Sequence, residues 1–262
     1  MKHIFRYLKI WWMMSRNSFL AVFNQKVALF IFLTGKILRF AFFIIFIYFL
    51  VGGTKSLAGY NSTQVIFFFL TFNLIDVLAQ FLFREVYRFR PLVVSGDFDL
   101  VLVKPINALF RVLMGGADVI DLITIPPLIF AVWYVGRLFN PSMLQATLYI
   151  LLLINGLLIA AAFHIAVLAL GIITLEVDNI IMIYRDLVAL GRFPIDIYKE
   201  PLRSAITYLI PVGIMITLPA KALMGLTSPV SILISLAVGL VAILAAYKFW
   251  NYALKFYTSA SS

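Results

Sequence analysis

Asp118 and Asp121, one helical turn apart, are the one carboxylate pair in this chain whose spacing suits a metal ion. With no further acid close by in sequence, a structural role outweighs a metal site. Cysteine is absent, and the two histidines, His3 and His164, stand far apart. Thiolate ligands, disulfides and a zinc site are therefore not expected. Neither HExxH nor GxSxG occurs, so the local signatures of zinc proteases and serine hydrolases are missing. The nearest approach to a phosphate-cradling loop is Val51-Gly-Gly-Thr-Lys-Ser56, but Thr54 stands where the glycine before the lysine is required. The chain is read as a non-enzyme that holds no cofactor of its own.

The remaining polar residues of interest stand inside apolar runs. The chain has 262 residues, 64% hydrophobic and 12% charged, with mean hydropathy +1.06. A soluble domain is near half apolar and a quarter charged, so this composition belongs in a bilayer. Its net charge of +10 is read as Lys and Arg set against anionic lipid, not as a nucleic-acid surface. Charges within spans are costly and call for named partners. Arg39 in the first span and Asp76 in the second fall at matching depth, which favours an Arg39–Asp76 pair. Lys36 competes, and each charge has snorkelling open to it. Asn73, one turn from Asp76, is placed to add a hydrogen bond. His164 in the fourth span reads as a packed, hydrogen-bonded histidine more readily than as a proton relay.

About 20 apolar residues span a bilayer. Six such runs occur, near 30–52, 62–83, 112–135, 143–173, 203–223 and 229–250. The fold class expected is an all-α polytopic membrane protein, one domain over 1–262, with both termini cytoplasmic. Residues 1–26 read as an amphipathic elbow helix in the membrane plane. Ile4, Phe5, Leu8, Trp11 and Trp12 share a face, and Lys2, Arg6, Lys9 and Arg16 fall largely opposite. Placing the N terminus inside puts sixteen of the 21 basic residues on the cytosolic side and three outside. On that count both polar connections, 84–111 and 176–202, are cytosolic. Pro126, Pro127, Pro211 and Pro219 mark kinks within spans. Ser231, Ser235, Gly239, Ala242 and Ala246 form a small-residue face for close packing, within the subunit or across a dimer.

The 84–111 connection is the longest stretch that looks wet. Pro91, Gly96 and Pro105 break it, and a short amphipathic helix is expected over Val93–Val103, with Phe98, Val101 and Leu102 on one side and Asp97 and Lys104 on the other. A free helix this short is marginal and requires a groove; the plain alternative is a solvated linker.

Here two strings are informative: SGDFDLVLVKPINALFRVL from Ser95, and GRFPIDIYKEPLRSAITYLIPVGIMITLPAKALMG over Gly191–Gly225. Both resemble the ABC-2 permease family, the membrane subunits of one class of ATP-driven exporters, and most closely its small bacterial members. The resemblance implies a multi-pass protein of the cell membrane, bound to a separate ABC ATPase that carries ATP and magnesium, and to a second permease subunit, homo- or heterodimeric. It implies that Arg88, Asp97, Phe98, Asp99, Leu102, Lys104, Pro105 and Asn107 couple the chain to the ATPase, with Phe98 as the central anchor. An ion-coupled secondary transporter is the rival reading. Few buried acids and no visible inverted repeat count against it.

Overall fold

The computed structural model describes residues 2–54 and 56–258, and its regular structure is helical throughout. Met1, Lys55 and the tail 259–262 lie outside the described residues. Polar residues set the helix starts. Helix α3 (Ser62–Phe83) opens with a capping box: Asn61 accepts from the Gln64 amide and the Gln64 side chain accepts from the Asn61 amide. Ser142 and Gln145 repeat the device at α8 (Met143–Thr174). Asp118 caps α7 (Val119–Arg137), and Ser228 caps α12 (Pro229–Ala253), where proline fits the first turn.

Helices α3 and α8 form the centre of the bundle, with 67% of their most apolar windows buried. Helix α12 packs along α8, and the small-residue face explains how. Asn155 of α8 donates to the carbonyl and hydroxyl of Ser235, at 2.9 and 3.0 Å, and Gly239 lies against the same amide. That face therefore packs within the subunit. Helix α2 (Lys26–Thr54) differs: 6% of its window is buried. It touches the bundle through Phe40 and Phe43 against Phe69 and through Lys36.

Among the described residues five helices are long and apolar enough to cross a membrane: α2, α3, α7, α8 and α12. The expected fifth span, 203–223, takes another course. It consists of α10 (Leu202–Leu209) and α11 (Gly213–Leu223), bent by 75° around Pro211. Arg203 and Lys221, at opposite ends of this hairpin, both bond Asp196, at 2.6 and 2.7 Å. An element whose two ends meet at one carboxylate enters and leaves on the same side. Its tip reaches mid-bundle, where Leu209 and Pro211 meet Ile159, Ala162 and Ala242. There the Met215 carbonyl lies so close to Gly156 that a Cβ would sit 2.5 Å from it.

The polar segment 176–202, expected as a cytosolic loop, instead carries the chain from one end of the bundle to the other. It starts beside the 84–111 connection, where Arg90 lies 3.9 Å from Asp178. Helix α9 (Val177–Ala189) then climbs α8, setting Tyr184 against His164. Arg192 passes over Phe72 and Phe193 lies tilted against Phe43. Finally Asp196 reaches Tyr60, just before α3 at the opposite end, with 2.9 Å between oxygens. The sequence conceals this because α9 sets Asp178, Arg185 and Asp186 among its apolar residues and is only 13 residues long. Lys199 and Arg203 thereby move to the far end, and the near end keeps most of the basic residues.

Candidate functional site

At the near end α3 runs through a 3₁₀ turn, Arg84–Arg88, into α4 (Phe89–Val94). Gly96, at φ 80°, takes the left-handed conformation that splits the single expected helix in two, and α5 (Asp97–Leu102) follows. A new helix opens not at Pro105 but at Ala108: α6 (Ala108–Leu113), capped by Asn107, whose side chain accepts from the Phe110 amide. Residues 108–113 are thus separate from the third span, which begins at Val119.

Phe98 is fully buried. It packs edge-on to Phe89 at 5.2 Å and meets Trp250 of α12 and Tyr257. It cannot insert into a partner's groove; it fixes α5 to its own bundle. Val101 is buried with it, whereas Leu102 is exposed. The surface α5 turns outward carries Asp97, Leu100, Leu102 and Lys104, flanked by Val94 and Val103. Val103 is 78% exposed, high for an apolar residue at the wet end of a bundle. Asp99 is half-buried.

Helix α1 (Lys2–Phe23) lies across this region. Arg6 donates to the Pro105 carbonyl at 2.9 Å, the Tyr7 hydroxyl accepts from the Asn107 amide, and Ser15 accepts from the Ala117 amide. Pro105 and Asn107 are thereby occupied. Beneath them Glu85 is a hub that the sequence reading missed. It takes Arg111 at 2.6 Å, Arg88 at 3.5 Å and the Gly116 amide at 3.3 Å. Gly115 admits it, since a Cβ there would overlap the carboxylate.

The Arg39–Asp76 pair does not form. Asp76 accepts from Gln80 one turn on, at 2.8 Å, and Asn73 donates to the Phe69 carbonyl instead. The intramembrane ion pair is Lys36–Asp121, at 2.5 Å, with Thr124 also bonded to Lys36. Asp118 caps α7 and pairs with Arg84 at 3.3 Å. Both acids of the one metal-like spacing thus have structural partners, and no metal-binding cluster occurs among the described residues. His164 is buried between Phe83 and Tyr184, its Nδ1 2.8 Å from the Ala160 carbonyl. Nε2 has no hydrogen-bond partner among the described residues.

At the far end Asp196 is the second hub. Burial alone would raise its pKa, but bonds from Lys221 and Tyr60, with the charge of Arg203, hold it below the usual carboxylate value. The Tyr60 hydroxyl is pushed upward, by burial first and by Asp196 second.

Against this geometry, residues 36–261 match the family model described as ABC-2 family transporter protein. The chain belongs to the ABC-2 transporter family. No curated protein and no solved structure matches it. As an ABC-2 family member it is a membrane permease of an ABC transporter, and the family implies association with an ABC ATPase. The permease's two polar hubs, Glu85 and Asp196, mark opposite ends of its bundle.

Proposed function

We propose that this permease is the membrane subunit of an exporter. A separate ATPase carrying ATP and magnesium drives it, and it works beside a second permease subunit in the cell membrane. The observation that carries the reading is the apolar, outward surface at the near end: Val94, Leu100, Leu102 and Val103, rimmed by Asp97 and Lys104. A surface of this kind fits a groove on a soluble partner. Phe98 joins it to α12, so a push on α5 reaches a helix packed along α8. On this reading the near end faces the cytosol and α1 rests in the inner interface, with Ile4, Phe5, Leu8 and Trp12 turned to lipid. The thinly packed α2 is the face left for the second permease. The ion-coupled alternative loses ground because Asp76 and Asp121 are both bonded within the chain.

The test is co-purification with a co-expressed ABC ATPase, together with permease-stimulated ATP hydrolysis. Leu100→Asp with Val103→Asp is expected to weaken association roughly 10- to 100-fold, the effect of losing a central apolar anchor. Association and hydrolysis at native levels, with matched membrane expression, would show that α5 does not couple.

A further inference from the structure

Between α2, α3, α9 and the start of α7 lie two adjoining cavities of about 440 and 180 Å³ that share Arg39, Asp76 and Arg185. The other charges of the larger one are engaged: Lys36 with Asp121, and Arg84 with Asp118. Asp76 is bonded by Gln80. Arg39 and Arg185 have neither an ion pair nor a hydrogen bond among the described residues, although Arg39 lies within a span. An intramembrane arginine left without a partner is costly, and such residues mark ligand pathways. The planar guanidinium binds carboxylate and phosphate bidentately and is weakly hydrated, which suits this depth. On the α2 side the cavity wall continues as Ile31 and Phe32, both exposed.

We propose that this cleft binds the anionic head of an amphiphile. Arg39 and Arg185 grip a phosphate or carboxylate, and its tail lies along Ile31 and Phe32 of α2. Asp76, held by Gln80, and Asp186 line the same space, with Arg192 as a third guanidinium in the smaller cavity, and the two carboxylates limit how many negative charges the head brings. As a substrate site the cleft rests on the exporter reading; as a binding site it does not, so binding is what must be measured.

The purified full chain is placed in phosphatidylcholine nanodiscs and its thermal unfolding followed by tryptophan fluorescence. Three additions are compared: phosphatidic acid as a minor lipid, inorganic phosphate, and dodecyltrimethylammonium. Phosphatidic acid is expected to raise Tm by about 3 °C, the shift that a several-fold excess over Kd gives a chain of this size. Arg39→Gln with Arg185→Gln should abolish that rise, while Arg137→Gln, at the far end, keeps it. If the double variant fails to fold, Arg185→Gln alone, on an exposed face of α9, serves in its place. A rise with inorganic phosphate as well assigns the site to the head alone; a rise with phosphatidic acid only assigns it to the lipid-linked form. An equal rise in native and variant chains, or a response confined to the ammonium amphiphile, overturns the proposal. Loss of ATPase association leaves this result untouched, so the two readings fail separately.

Discussion

Two carboxylates, one at each end of the bundle, do the same electrostatic work in different mechanical settings. Glu85 gathers Arg88, Arg111 and the Gly116 amide at the near end. Asp196 gathers Arg203, Lys221 and the Tyr60 hydroxyl at the far end. Around Glu85 the anchoring is redundant: α1 bonds the same region, and Phe98 locks α5 beneath an aromatic cluster. Around Asp196 the carboxylate ties together both ends of a hairpin that contains a 75° bend and two π-helical turns. Such turns weaken the regular ladder and recur at functional sites. The near end is built as a rigid handle and the far end as a clasped, deformable insert. In a transporter, force applied to the handle is useful only if some element at the other end yields.

The strongest way to break this contrast is Phe98→Ala. Its side chain is fully buried among aromatics, so truncation is expected to cost ~3–5 kcal/mol and to lower Tm and membrane yield. Were the variant to keep native stability and lose only ATPase association, Phe98 would be a docking residue and the rigid-handle account would fail. Next in size is Glu85→Gln, which leaves Arg111 facing a neutral amide at a partly buried site. A loss of ~1–3 kcal/mol is expected, discounted from the fully buried case for the exposure of the arginines. Asp196→Asn should cost less overall stability but raise the thiol-reagent accessibility of a cysteine placed at Val212, buried at the hairpin tip. If both hubs give the same pattern by unfolding and by labelling, the ends are not mechanically distinct. A smaller effect is expected at Lys36–Asp121. In a double-mutant cycle with Lys36→Met and Asp121→Leu, the two changes should couple by ~0.5–3 kcal/mol. The corresponding cycle on Arg39 and Asp76 should be additive, because those two do not meet.

How far the sequence revealed these arrangements depended on whether the signal was local. The apolar runs declare α2, α3, α8 and α12, and the runs opening near 62, 143 and 229 agree with the observed helix starts. The wet character of 84–111 was equally plain, but not the direction in which its helix faces. Phe98 and Leu100 are both apolar, and only the position of Trp250 and Tyr257, some 150 residues on, decides which is inside. The climb of α9 was hidden by its charges, which a helix flanked by a cleft tolerates and a lipid-facing one does not. The reverse error befell 203–223, where an apolar run of spanning length folds back on itself. Hydropathy measures length and polarity and is blind to a turn; Pro211 was visible, yet a proline marks a kink and a reversal alike. The Arg39–Asp76 expectation matched depths correctly but assumed that adjacent helices face each other with those residues. In fact α2 leans on α7 through Lys36, which is one turn from Arg39.

The finest test concerns pH at the far hub. Asp196 has its pKa held below the ordinary value of 3.8, so the folded chain binds a proton there less readily than the unfolded one does. The stabilisation this supplies is fully present above the ordinary carboxylate value. It fades as pH falls from there through the lowered folded value. The Asp196 side chain is only 13% exposed, but its partner Arg203 is 44% exposed, so the effect is modest and screened by salt. In acid unfolding of the purified chain, Asp196→Asn should therefore remove a slice of the stability change confined to pH below about 4, and leave the profile above it parallel to the native one. High salt should shrink the difference between the two chains. A difference centred near neutral pH would mean that some other group titrates at this end. In that case the clasp on the hairpin would not be the Asp196 carboxylate, and the asymmetry between handle and insert would need another physical basis.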